Sequence, residues 1–95
     1  MTTLRFAVNV LPKDGILDPQ GRAVEQSLGL LDVQGVSAVR VGRRIELTVE
    51  APDELAARAI VERLAGDLFS NPLIEQASVE VLGASSSAVG TAGAR

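Results

Sequence analysis

The chain lacks histidine, cysteine, tryptophan and tyrosine, and Lys13 is its one lysine. Without histidine or cysteine it has no imidazole base, no thiolate nucleophile, no disulfide and no Cys/His zinc site. A carboxylate base would need a partner and a pocket that no motif displays, and the phosphate-binding patterns GxxxxGKS/T and GxGxxG are absent. The sequence therefore predicts no catalytic residue, no cofactor and no metal on this chain.

Charge and hydropathy argue against two classes of partner. The formal charge is −3, which repels phosphate backbones, and two phenylalanines offer little surface for stacking bases. No apolar run approaches the roughly 20 residues of a membrane span, and the N-terminus has no signal-peptide pattern. We therefore expect neither nucleic acid nor a membrane as partner, and a cytoplasmic location.

Length and composition indicate one domain and a short tail. The chain has 95 residues, and domains usually have roughly 100–200. Residues 83–95 contain only Gly, Ala, Ser and Thr besides one Val and a terminal Arg, too little apolar surface to offset the entropy of ordering. We expect a domain at residues 1–82 and a disordered low-complexity tail at 83–95. Because a core this small is marginal, subunit association is a natural source of further stability.

The first half of the domain reads as a strand followed by a helix. Apolar and polar residues alternate from Leu4 to Val10, which predicts a strand that ends near Pro12. Asp18 and Pro19 are typical of a helix start, with the carboxylate as cap and proline as the first helical residue. The apolar stripe of this helix consists of Val24, Leu28 and Leu31.

A β-hairpin is predicted next, with strands at residues 39–41 and 45–49. Its apolar residues share one face only in the register that places Arg40 opposite Glu46. The connection then has three residues, and Gly42 is free to take positive φ. The Arg40–Glu46 pair either adds a little stability or positions the guanidinium for a partner.

A second helix and a last strand complete the domain. The helix begins near residues 52–54 and is stopped by Asn71 and Pro72, and a strand follows at residues 77–81. The apolar stripe of the helix consists of Ala57, Val61, Leu64 and Leu68. The element order βαββαβ predicts an α+β, ferredoxin-like fold, an antiparallel sheet with two helices on one face.

The other face of this sheet is predicted to be polar, with short side chains and charges of both signs. It carries Arg5, Ala7, Asn9, Ala38, Arg40, Glu46, Thr48, Glu50, Gln76, Ser78 and Glu80. Two interpretations remain open. Antiparallel sheets often leave one face in water, or the face is a polar interface between subunits.

Two local features need separate interpretation. Asp18 and Pro19 are explained by the helix start, but a glycine in the first turn, Gly21, costs up to about 1 kcal/mol relative to alanine. It suggests close approach of another backbone or a ligand. Arg43 and Arg44 fit a solvated hairpin tip, although a basic cluster is also suited to a phosphate or an acidic partner.

Three segments together resemble a known family. They are residues 17–21 (LDPQG), residues 39–50 (VRVG leading to ELTVE) and residues 71–75 (NP followed by IE). In this order and spacing the chain resembles, over residues 4–82, the PurS family, the small subunit of bacterial and archaeal phosphoribosylformylglycinamidine synthase.

The resemblance implies a non-catalytic subunit in the fourth step of de novo purine synthesis. The partners it implies are a PurQ-like glutaminase, which releases ammonia from glutamine, and a PurL-like synthetase, which uses ATP and magnesium. It also implies a dimer or a pair of dimers that bridges these subunits and assists ammonia transfer. We expect the family segments to supply the contact surface, at Asp18, Gln20, Gly21, Arg40, Gly42 and Glu46.

Two other classes share the element order. An ACT-type regulatory domain would bind a small molecule at a dimer interface, but no regulated catalytic domain lies on this chain. A ferredoxin-like enzyme using carboxylates alone is the third hypothesis. Fold by itself does not choose among them.

Overall fold

The structure is a computed structural model that describes residues 1–84. Its elements are β1 (Thr2–Pro12), α1 (Pro19–Leu30), β2 (Arg43–Ala51), α2 (Glu54–Leu64), a π-helical turn (Ala65–Phe69) and β3 (Glu75–Ala84). Gly83 and Ala84, which the sequence assigned to the tail, belong to β3. The rest of the predicted tail lies outside the described residues.

The three strands form an antiparallel sheet in the order β2-β1-β3. The central strand pairs Phe6 with Leu47 on one side and with Val81 on the other, so apolar residues of all three strands share one face. An irregularity between Arg5 and Phe6 shifts the register with β3, and Gly83 there has φ 116°. The predicted ferredoxin-like class, a sheet with two helices, is confirmed.

The core lies between this face and α2. Phe6, Val8, Val10 and Val61 are almost fully buried, and burying each such side chain contributes roughly 1.5–3 kcal/mol. Ala57 of α2 and Ala65 of the π-helical turn are both buried in this core, where their small side chains allow close packing on the sheet. Helices within residues 1–84 are all too short or too polar to span a bilayer.

The π-helical turn changes which side chain ends the apolar stripe of α2. The sequence predicted Leu68 for the core, but Leu68 is 70 % exposed and Phe69 packs against the core instead. A π turn closes on the fifth residue rather than the fourth, so it rotates the residues that follow it. The Ser70 hydroxyl donates to the Ala65 carbonyl at 2.6 Å and closes this end.

The predicted hairpin is wrong in its first strand. Residues 36–42 form no strand, and β2 begins at Arg43. Glu46 lies opposite Ala7 of β1, whereas the Arg40 guanidinium donates to the Pro12 carbonyl and lies 3.7 Å from Asp14. The Arg40–Glu46 pairing across a hairpin is therefore not formed.

Residues 13–42, which we call the arm, lead away from the sheet. α2 packs against β1 and β2, whereas α1 makes no extensive contact with the sheet. Leu30 and Leu31 are 89 % and 70 % exposed, and Val24 is 41 % exposed. Of the apolar stripe predicted for α1, Val24 and Leu31 are exposed and Leu28 is partly buried, so residues 1–84 leave most of it uncovered.

Candidate functional site

The three family segments converge at the base of the arm. A surface groove is lined by residues 16–20, 41–43 and 74–75, together with Pro12. The backbone N–H of Lys13 donates to the carbonyl of Ile74 at 2.9 Å and joins the start of the arm to the third family segment. Segments that are far apart in the chain therefore form one site.

Asp18 is the central hydrogen-bond acceptor of this site. It caps α1 as predicted, with Oδ1 accepting from the N–H of Gly21 at 3.0 Å. Its other oxygen, Oδ2, accepts from the N–H of Val41 at 2.9 Å. These two backbone donors, Gly21 first, lower the pKa of Asp18 below its usual value of 3.8. One carboxylate thus joins the start of α1 to the segment before β2.

Glu25 makes a second connection of the same kind, which the sequence interpretation missed. Its Oε2 accepts from the N–H of Val39 at 2.8 Å. Asp18, Gly21 and Glu25 are spaced three and four residues apart and so lie on one side of α1. That spacing was the available signal. Because α1 carboxylates take the donors of Val39 and Val41, this segment follows α1 rather than pairing with β2.

Gly21 and Gly42 both lie where a side chain has no room. A Cβ at Gly21 would overlap the carbonyl oxygen of Val39 and the carboxylate of Asp18, and one at Gly42 would overlap the carbonyl of Val10. The close approach suspected at Gly21 is confirmed, and its partner is a backbone of the same chain. Gly42 does not have the positive φ expected for a hairpin turn.

Arg43 and Glu75 tie the second and third family segments together. The guanidinium of Arg43 donates to both oxygens of Glu75 at 2.9 Å and to the carbonyl of Phe69 at 2.7 Å. Glu75 also accepts from the N–H of Asn71 at 2.8 Å. The Arg43 side chain, followed by the Asn71 amide, lowers the pKa of Glu75. Arg43 is therefore a structural residue, and the solvated hairpin tip predicted for it is wrong.

The open face of the sheet, defined here by Arg5, Ala7, Asn9, Arg44, Glu46, Thr48, Glu50, Gln76, Ser78 and Glu80, carries a network of ion pairs. Arg44 contacts Glu46 at 2.9 Å and both Glu80 and Asn9 at 3.1 Å. Ala7 beneath it is fully buried. Arg44 thus takes the place on this face that was predicted for Arg40, and Ala38 also lies outside the face.

The six predicted contact residues differ in what they do within the chain. Five take part in the contacts described above, whereas Gln20 is exposed and makes no side-chain hydrogen bond among residues 1–84. Contact of any of them with a partner stays a prediction. Across the described part of the chain, no three metal-ligating side chains are grouped to hold an ion. The arrangement is that of a scaffold whose charged groups fix its own backbone.

Comparison with known proteins gives consistent results. The family model for PurS, phosphoribosylformylglycinamidine (FGAM) synthase, matches residues 5–83. The PurS subunit from a Synechocystis strain is 40 % identical over 74 residues, which cover 78 % of this chain and 74 % of that protein. The Bacillus subtilis subunit is 36 % identical over 77 residues, covering 81 % and 90 %.

Solved structures agree with the sequence comparisons. A chain of PurLQS from Thermotoga maritima has a TM-score of 0.78 and 32 % identity, covering 86 % of this chain and all of that one. The separate Thermotoga maritima PurS subunit has a TM-score of 0.76 and 31 % identity, covering 84 % and 92 %. The chain therefore belongs to the PurS family of phosphoribosylformylglycinamidine synthase subunits.

Proposed function

We propose that this chain is the small, non-catalytic subunit of a phosphoribosylformylglycinamidine synthase and that it holds a glutaminase and an ATP-dependent synthetase together. The observation that carries the proposal is the similarity to the whole PurS chain of the Thermotoga maritima PurLQS complex. Family membership also decides against the ACT-type alternative, which rests on element order alone.

The chemistry of the described residues supports a structural role. The chain has no histidine or cysteine, and Asp18, Glu25 and Glu75 bind the chain's own backbone or Arg43. These carboxylates are therefore committed to holding the fold. ATP, magnesium and glutamine are expected at the partner subunits, in the cytoplasm, with ammonia passing between them.

The uncovered arm supports association with a second copy, as a dimer or a pair of dimers. Exposed contiguous apolar surface on a small protein marks an interaction site. α1 presents such a stripe, and Ile45 and Leu47 of β2, an edge strand of the sheet, are only partly buried. In such a dimer, the second chain would bury the apolar stripe of α1 that a single chain leaves exposed.

Reconstitution tests the function. The chain is mixed with the glutaminase and synthetase subunits of its own source, and glutamine-dependent and ammonium-dependent product formation are measured with and without it. We expect co-purification of the three proteins and a strong requirement for this chain only when glutamine is the nitrogen source. Full glutamine-dependent activity without the chain would overturn the proposal, as would glutamine hydrolysis or ATP cleavage by the chain alone.

Gln20 allows a clean test of the predicted contact surface, because its exposed side chain makes no hydrogen bond within residues 1–84 that a substitution would break. Gln20→Arg should leave the melting temperature unchanged and reduce co-purification with the larger subunits. Gln34→Arg, the same change in the exposed loop after α1, is the matched control. Equal assembly of both variants would remove Gln20 from the contact surface.

A further inference from the structure

The arm contains a pocket to which the proposed function gives no role. This pocket, which we call the arm pocket, is lined by residues 12–18, Arg22, Glu25 and residues 38–40. Its volume is about 480 Å³, and small-molecule sites usually have roughly 300–1,000 Å³. The groove of the candidate functional site borders it at residues 16–18 but continues to β2 and β3. The arm pocket is therefore a separate feature with the size of a ligand site.

Hydrogen bonds within the chain hold the walls of the arm pocket together. The Arg40 guanidinium donates to the carbonyl of Pro12, which joins residues 38–40 to the end of β1. The N–H of Val39 donates to Glu25 at 2.8 Å, which joins the same residues to α1. The pocket is thus formed before any ligand binds, and a preformed site lowers the entropic cost of binding.

Two cations beside the arm pocket have no carboxylate partner. Lys13 and Arg22 both line it, and neither side chain forms an ion pair or a hydrogen bond among residues 1–84. Every other arginine of residues 1–84 lies within 3.7 Å of a carboxylate oxygen. Ammonium and guanidinium groups donate hydrogen bonds and accept none. Together they provide a place for an anion.

The carboxylates of the arm pocket are already held by other donors. Asp18 accepts from two backbone N–H groups. Asp14 lies 3.7 Å from Arg40. Glu25 accepts from Val39 through Oε2, and its Oε1 accepts no hydrogen bond among residues 1–84. The pocket therefore offers a free carboxylate oxygen, which suits a hydroxyl group, as well as the two cations.

We propose that the arm pocket binds a sugar phosphate, with the phosphate between Lys13 and Arg22 and a sugar hydroxyl on Glu25. A phosphate monoester carries close to two negative charges at neutral pH and three acceptor oxygens, which match two cations. Ile16 and Leu17 are exposed apolar residues of the wall, and they can cover the C–H groups of the sugar. None of the described lining residues is aromatic, so the pocket provides no stacking surface for a base.

An NMR titration of the full chain tests the ligand class near neutral pH. The probes are ribose 5-phosphate, inorganic phosphate and ribose. We expect ribose 5-phosphate to bind at least about tenfold more tightly than inorganic phosphate, and ribose to bind too weakly to measure. No binding of ribose 5-phosphate would overturn the proposal, as would equal affinities for ribose 5-phosphate and inorganic phosphate.

The same spectra locate the ligand. Backbone amide shifts should change at residues 13–17 and 38–40 and stay constant on the open face of the sheet. Arg44 there is also basic, but Glu46 and Glu80 occupy its guanidinium. Shift changes on the open face alone would assign the phosphate to Arg44 and overturn the proposal.

Loss of one cation tests the phosphate contact. Arg22→Gln should weaken the binding of ribose 5-phosphate by about tenfold or more, because a charge-assisted hydrogen bond is lost. Arg63→Gln, the same change at an exposed arginine of α2, is the matched control and should bind like the unaltered chain. Equal affinities of the two variants would overturn the proposal. Melting temperatures show that both variants fold.

Lys13 allows a test in which the charge is either kept or removed. Lys13→Arg should retain the binding of ribose 5-phosphate, whereas Lys13→Gln should weaken it to the same extent as Arg22→Gln. The hydrogen bond from Lys13 to Ile74 uses the backbone N–H, so neither change removes it. Full binding by Lys13→Gln would overturn the placement of the phosphate between the two cations.

Discussion

Gly21 and Gly29 lie two turns apart in α1 and have opposite surroundings. A Cβ at Gly21 would overlap the Val39 carbonyl, whereas a Cβ at Gly29 would meet no described atom within 4 Å beyond its chain neighbours and the backbone of α1 itself. The sequence alone indicated that Gly21 needed a reason, since a glycine in a helix is unfavourable. It gave no means of deciding between a ligand, a partner and the chain's own backbone, because that depends on where residues 38–42 lie.

The pair gives a matched stability test. Gly21→Ala should destabilise the fold by about 1–3 kcal/mol, as overpacking against backbone does. Gly29→Ala should stabilise it by roughly 0.5–1 kcal/mol, because alanine is the better helix former. Urea denaturation of both variants measures the difference. Similar midpoints would show that Val39 does not lie against Gly21.

At the scale of elements, period-2 and helical patterns were sufficient for β1, α2 and the apolar face that the three strands share. These patterns were insufficient for residues 39–41. Alternation of apolar and polar residues there fits an extended segment, whether that segment pairs with β2 or lies against a helix. Hydrogen bonds from Val39 and Val41 to Glu25 and Asp18 decide the matter. Such side-chain acceptors compete with a sheet ladder for backbone donors.

Loss of the Glu25 carboxylate should loosen residues 39–41 locally. Glu25→Ala leaves the N–H of Val39 without its partner at 2.8 Å, and exposed amides without hydrogen bonds exchange quickly. We expect faster hydrogen exchange at Val39 and little change in β1, measured by NMR. Gln26→Ala, on an exposed position of the same helix, is the control. Unchanged protection of Val39 in Glu25→Ala would show that the contact is not formed in solution.

Acid should weaken the connections between elements. Asp18 and Glu75 have pKa values lowered from 3.8 and 4.5 by the groups that bind them. A carboxyl with a lowered pKa contributes stability above its ordinary pKa and loses it as the pH falls through the folded value. The melting temperature should therefore hold near neutral pH and drop below about pH 4.5.

Substitution of these two carboxyls measures how much of the acid-induced loss of stability they cause. The double variant Asp18→Asn, Glu75→Gln should have a lower melting temperature than the unaltered chain at neutral pH. The difference in melting temperature should narrow toward pH 3. Glu62→Gln, on the exposed side of α2, should follow the unaltered chain throughout. Parallel curves for all three proteins would assign the acid response to other groups.

For the whole molecule, the described chain buries one side of its sheet under a single helix and leaves the other helix uncovered. Its melting temperature should therefore rise with protein concentration, because a partner that binds only folded chains stabilises by mass action. Calorimetry over a hundredfold range of concentration tests this. A constant melting temperature would show that the arm needs no cover. Sequence patterns predicted both helices but not that only one of them covers the sheet. An amphipathic stripe shows that a helix face is apolar, but not whether it packs on its own chain or on another.

A chain of the printed sequence has two primary amines, those of Lys13 and Met1, and they lie at opposite ends of β1. Eleven strand residues separate such ends by roughly 36 Å at about 3.3 Å per residue. Lys13 is fixed beside Ile74 at the base of the arm. An amine-reactive reagent applied to an assembled complex therefore labels this subunit at two well-separated points. Mass spectrometry of the linked peptides will show which larger subunit lies at the base of the arm and which lies at the far end of the sheet.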